Sequence, residues 1–153
     1  MIHAAHDSVI VRQSGKFLVP LVQLFGLYVL FFGQYGPGGG FVGGVLFGAS
    51  LIAGLLIFGP EGQSALASKK LLIVDGVGLI IFAGVGGLCL IGGGQFLNYA
   101  NVPIPGLDDP TRRHVGIIVT QIGVALDIAV AAISIVYSLS SRDEEGEADA
   151  GRH

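Results

Sequence analysis

Leu71-LIVDGVGLIIFAGVGGLCLIGG-Gly94 is a run of 24 residues with one charged side chain, Asp75. A transmembrane β-strand alternates lipid-facing and polar positions over about ten residues. This run does not alternate, and neither does LIAGLLIFG at Leu51–Gly59. A helix rising about 1.5 Å per residue needs roughly 20 apolar residues to cross the hydrocarbon core. The run is long enough, so it predicts a membrane-spanning helix over 71–94.

Three more stretches read the same way. FLVPLVQLFGLYVLFF at 17–32 is short unless Val9 to Gly15 extends it, and Pro20 fits near its start, where a missing N–H does no harm. The stretch 41–59 closes on Gly59-Pro60, and 115–139 is interrupted by Thr120, Gln121, Asp127 and Ser134. The expected fold is an all-α integral membrane protein, a bundle of about four transmembrane helices with short loops. Residues 1–141 make one membrane domain, and 142–153 make an acidic, disordered cytoplasmic tail.

Composition agrees. The 153 residues are 52% hydrophobic and 12% charged, about half the charge of a soluble domain. The net charge of −3 traces to the tail, which carries five acids between Asp143 and Asp149. No basic patch interleaved with aromatics supports nucleic-acid binding. The single cysteine, Cys89, reads as a small packing residue in an apolar run. His, Cys, Asp and Glu nowhere take metal-ligand spacing, so no metal and no cofactor is expected. Gly36-Pro-Gly-Gly-Gly40 lacks the Lys-Ser/Thr of a phosphate-binding loop and follows a membrane helix, not a strand. An enzyme is not expected.

Basic residues in short loops set orientation. One side holds Arg12, Lys16, Lys69, Lys70, Arg142 and Arg152; the other holds Arg112 and Arg113. This asymmetry predicts a multi-pass protein of the cell (inner) membrane with both termini cytoplasmic.

The 26 glycines would weaken soluble helices by roughly 1 kcal/mol each relative to alanine. In lipid, unsatisfied backbone groups are so costly that helices persist, and small residues let backbones approach closely. Gly40, Gly44 and Gly48 share one face of the second span. Gly116, Thr120, Gly123, Asp127, Ala131 and Ser134 share a face of the fourth. Both are expected to be helix-contact surfaces, either with other subunits or within the chain.

Asp127 lies near the middle of the fourth span, where a charged aspartate costs on the order of 2.5–3.5 kcal/mol. Two readings stay open: a station on an ion path, with Thr120 and Ser134 bonding a water chain, or a protonated acid bridging two helices. Asp75, one turn into the third span near Lys69 and Lys70, is the second ion-path candidate; it also reads as an interfacial or lysine-paired acid.

The segment Phe31-FGQYGPGGGFVGG-Val45 joins the first two spans. With Arg12, Lys16, Leu18-Val-Pro20, Leu27-Tyr-Val-Leu30 and Gln121-Ile-Gly-Val124, it resembles MrpB, a small subunit of the multisubunit Mrp sodium/proton antiporter. The resemblance covers about Val9 to Ser141. Where that family usually has a histidine this chain has Gln34, and where it often has an acid this chain has Gln121.

The resemblance implies a non-catalytic subunit of a hetero-oligomeric antiporter, with other membrane subunits as partners, the lipid bilayer around it, and Na+ and H+ moving through the complex. Related subunits of the ion-translocating modules of membrane-bound hydrogenases give the alternative. Pro37, Gly38, Gly39, Gly40 and Phe41 form the family motif, expected to have a docking or structural role. Pro37 blocks helix continuation, the glycines open backbone angles closed to other residues, and Phe41 serves as an apolar anchor.

Overall fold

The structure, a computed structural model, describes residues 8–59 and 70–150; for 70–75 and 140–150 it describes the backbone only. Four helices carry the chain: α1 (Val9–Phe32), α2 (Gly40–Phe58), α3 (Lys70–Ile91) and α4 (Asp109–Ala150), with a 3₁₀ turn at Tyr99–Asn101 before α4. The described residues form no strand. Helices α1 and α2 and the segment Asp109–Leu139 of α4 are each long and apolar enough to cross a membrane; the part of α3 with described side chains, Gly76–Ile91, is shorter.

Each boundary has a local cause. Helix α1 starts at Val9, eight residues before the apolar run at Phe17, because Arg12, Gln13 and Lys16 extend the helix with polar residues. Pro20 therefore lies inside the helix, not near its start, and its missing N–H leaves the Lys16 carbonyl without its usual partner. At the far end, the Gly39 N–H donates to the Val29 carbonyl at 3.1 Å and caps α1.

Helix α3 stops before the three glycines expected to belong to it. Gly93 has φ +82°, its N–H donates to the Leu90 carbonyl, and the Gly94 N–H donates to the Cys89 carbonyl at 3.1 Å. That pair of bonds around a left-handed glycine is a Schellman stop. Helix α4 opens with Asp109, an acid suited to an N-terminus, and Pro110 in its first turn. Its backbone stays helical to Ala150, into the acidic segment expected to be disordered; residues 151–153 lie outside the described residues.

Among the described residues, α2 packs on α1 and α4, α3 packs on α4 but on neither α1 nor α2, and α1 barely reaches α4. These helices therefore stand in the order α1–α2–α4–α3, an open row with α4 flanked on both sides and no lumen between them. Small residues line the seams and large ones face outward. Gly43, Gly44, Gly48 and Gly54 are buried on α2, while Phe17, Leu21, Leu24, Phe25, Phe32 and Leu56 are all more than half exposed. In water this inversion would be ruinous; against lipid tails it leaves close backbone packing to hold the helices together.

Both glycine faces read from the sequence are used inside the chain. A Cβ on Gly40 would collide with the Gln121 carbonyl, one on Gly44 would lie 2.8 Å from the Ala125 carbonyl oxygen, and one on Gly48 would lie 3.0 Å from Ala132 Cβ. On the other flank of α4, a Cβ on Gly123 would lie 2.9 Å from the Gly78 carbonyl oxygen, and one on Gly116 would meet the Tyr99 ring at 2.6 Å. Each face thus makes close contacts inside the chain at these glycines.

Candidate functional site

Asp127 sits at a backbone contact between α3 and α4. A Cβ on Gly78 would lie 2.6 Å from the Gly123 carbonyl oxygen and 2.9 Å from the Asp127 amide nitrogen. Glycine at 78 and 123 thus lets two backbones touch, and the half-buried Asp127 side chain emerges beside the contact. It lines a groove of about 240 Å³ with Gly78, Leu79, Phe82 and Val124. The groove is apolar apart from the acid and opens on one side of the row.

The hydroxyls expected to accompany Asp127 divide. Thr120 donates its hydroxyl to the Gly116 carbonyl at 2.8 Å, so its proton is committed to its own helix. Ser134 Oγ and Tyr137 Oη are buried without a hydrogen-bond partner among the described residues. Asp75 is carried by α3 three residues before Gly78, so its backbone lies one turn from the Asp127 contact; its side chain lies outside the described residues.

The loop motif splits into two halves. Gly39 and Gly40 are buried. Gly39 has φ +103°, a value reserved in practice for glycine, and it lies against the Gln121 amide. Gly38 fits over Val29, whose carbonyl oxygen a Cβ would approach at 3.0 Å. Pro37 is exposed. Phe41 is 67% exposed, because α2 turns Gly40, Gly43 and Gly44 toward its neighbours and Phe41 away from them.

Motif and acid are not brought together. Gln121, which the motif touches, and Asp127 are six residues apart on α4, about 9 Å along the axis and on opposite flanks. The motif serves the α2 side and Asp127 the α3 side.

Two contacts had no signal in the sequence. The Gln34 side-chain amide lies 2.8 Å from His114 Nδ1, tying the α1–α2 loop to the start of α4 across 80 residues of chain. Arg112 donates to the carbonyls of Ala100 at 2.9 Å and Leu107 at 2.8 Å, with Asp109 3.6 Å away. It clamps the 92–108 connection onto α4. In the sequence these residues are only two polar loop groups and one unit of charge. Among the described residues, no three His, Cys, Asp or Glu side chains converge on a metal-sized space.

Comparison with known proteins adds the family. A family described as "Domain related to MnhB subunit of Na+/H+ antiporter" matches residues 10–136. A Staphylococcus haemolyticus protein named as the putative antiporter subunit mnhB2 is 34% identical over 137 residues, covering 82% of this chain and 94% of the relative. A protein of Alkalihalophilus pseudofirmus, named as the B subunit of a Na(+)/H(+) antiporter, is 30% identical over 135 residues, covering 80% and 90%. A Bacillus subtilis protein of the same name is 27% identical over 129 residues, with the same coverage.

Proposed function

The chain belongs to the MnhB family of Na+/H+ antiporter subunits, and from that premise we propose that it is a small, non-catalytic membrane subunit of a multisubunit sodium/proton antiporter, needed for assembly and contributing Asp127 to an ion pathway. The observation that carries the proposal is the open row. Among the described residues the helices stand in the order α1–α2–α4–α3 with no lumen between them, an arrangement that supports a part in a larger assembly over an independent transporter. Asp127 lines a groove that opens sideways, and in the proposed assembly a neighbouring subunit would close it.

Both termini are assigned to the cytoplasm. The α1–α2 and α3–α4 connections share one end of the molecule, since Gln34 meets His114 there and Tyr99 meets Gly116. That end carries only Arg112 and Arg113 among the loop bases, which favours the outer side.

Asp127→Asn tests the ion-path role. It keeps the size and much of the hydrogen bonding of the side chain and removes the titratable group. The complex should assemble at normal yield, and sodium-dependent proton exchange in everted vesicles should fall strongly, while Asp127→Glu retains part of it. Full exchange in the Asn variant across the working pH range would remove Asp127 from the pathway and leave it a helix-bridging acid.

A further inference from the structure

The connection between α3 and α4 folds back over the end of their seam, the outer end in the assigned orientation. Phe96 lies in a notch on α3, where a Cβ on the buried Gly86 would collide with its ring. Tyr99 lies in a matching notch on α4, where a Cβ on Gly116 would meet its ring at 2.6 Å. Arg112 holds this strap down through the carbonyls of Ala100 and Leu107. Leu97, directly after Phe96, has φ +61°, a left-handed angle that leucine rarely takes.

The Phe96 ring stands at the end of the Asp127 groove. Gly78, Phe82 and Gly86 follow at intervals of one turn, hence on one flank of α3 and about 6 Å apart along its axis. Gly78 makes the Asp127 contact, and Phe82 lines the groove. Phe96 meets Phe82 edge to face, with ring centroids 6.3 Å apart and planes at 68°. A path that runs along this flank from the outer end meets Phe96 first, then Phe82, then Asp127. Two aromatic rings in series make a hydrophobic constriction, which excludes water by dewetting. The hydroxyls of α4 divide in the same sense. Thr120, on the outer side of Asp127, has its proton committed to the Gly116 carbonyl, whereas Ser134, on the other side, has its oxygen unpartnered among the described residues.

We infer that Phe96 is a plug on the outer end of the Asp127 groove, a positioning residue that acts through Phe82 to keep outer water and ions from Asp127 and confines its exchange to the opposite side. The inference rests on the reading of Asp127 as part of an ion path and adds from which side that path is shut. It holds with Asp127 engaged inside the chain, as it is.

The test uses the assembled antiporter in right-side-out and everted vesicles, with Val124→Cys as a reporter in the groove wall. The probe is a charged, membrane-impermeant methanethiosulfonate, and the parent chain, whose Cys89 is fully buried, gives the background. Tyr35→Cys, on the connection at the same end, identifies the side that carries the strap. With Phe96 in place, Val124→Cys should label slowly from that side. Phe96→Ala should speed it by about tenfold or more, equivalent to about 1.4 kcal/mol off the barrier to entry. Gly86→Ala should act in the same direction, because it keeps the ring and pushes it out of its notch. Phe96→Leu, which keeps an apolar side chain of comparable reach, should preserve slow labelling. Labelling from the opposite side should not change in these variants, whereas a general loosening of the α3–α4 seam would raise both.

Fast labelling from the strap side with Phe96 in place, no acceleration in Phe96→Ala, or equal acceleration from both sides would overturn the inference. Full exchange by the Asp127→Asn complex would instead strike the ion-path reading; the labelling, which needs no exchange, would still report whether the groove is closed.

Discussion

Gly44→Ala, set against Gly84→Ala, isolates the α2–α4 seam. A Cβ on Gly44 would lie 2.8 Å from the Ala125 carbonyl oxygen, 2.9 Å from Ala125 Cα and 3.0 Å from Ile128 Cβ, whereas ordinary contact begins at 3.4 Å. The nearest atoms are backbone, which no rotamer change can move, so α4 must retreat by about 0.6 Å. A radial gap of 0.5–1 Å forfeits roughly a quarter to a half of each dispersion contact, and the loss extends to the neighbouring contacts of Gly40 and Gly48. A Cβ on Gly84, inside α3, meets nothing within 4 Å. Helix propensity favours both alanines by up to about 1 kcal/mol and cancels in the comparison.

The difference between the two variants is therefore the overpacking cost, about 1–3 kcal/mol. The assay is equilibrium unfolding of the purified chain in lipid–detergent micelles under SDS titration. Gly44→Ala should lose stability relative to Gly84→Ala by that amount, roughly a five- to 150-fold change in the folding equilibrium. A difference under about 0.5 kcal/mol, the scale of ordinary surface substitutions, would refute a seam built on backbone contact.

Gly40→Val should cut the yield of assembled complex several-fold, as losses of about 1–2 kcal/mol do, while Phe41→Ala, at a 67% exposed position, should leave the unfolding midpoint unchanged; size-exclusion yield and the SDS titration read the two. Arg112→Ala removes two charged hydrogen bonds, to the carbonyls of Ala100 and Leu107, and should cost about 1.5–3 kcal/mol in the same titration. Arg112→Lys should fall between, since an ammonium lacks the guanidinium fork that holds both carbonyls. Tyr35→Cys should react with an impermeant thiol reagent from outside and Arg142→Cys should not; native Cys89 is fully buried and gives no background, and the reverse labelling would overturn the assigned orientation.

Hydropathy made the helices legible because a membrane span must hide its backbone within itself, so each span is written in one continuous stretch. Their ends were less legible. Residues 9–16 are amphipathic, so hydropathy alone stops at Phe17; the extension over Val9 to Gly15 that the sequence left open is the one the helix takes. Gly92–Gly94 look like more span by composition, yet only glycine readily takes the left-handed angle that ends α3 at Ile91. The four-residue spacing of Gly40, Gly44 and Gly48 announced a contact face, because only a close approach explains so many missing side chains. Which helix it meets depends on the order of the row, and no local pattern encodes that. The contact of Gln34 with His114 is invisible for the same reason: two polar residues 80 positions apart share nothing until the fold joins them.

Asp127 was legible by its cost alone, and its surroundings narrow what that cost can mean. A lysine or arginine near mid-membrane can extend its long stem toward the interface; an aspartate cannot, because its carboxyl group lies two bonds from a backbone that Gly78 and Gly123 hold in contact with α3. Its polarity must be met where it stands. The row of helices leaves that position one open side, and the equivalent opening on the far side of α4 is lined entirely by apolar residues. On the proposed reading the acid serves an ion path of the complex as well as the α3–α4 contact, and Asp127→Asn, which keeps the side chain's size and removes its titratable group, separates the two.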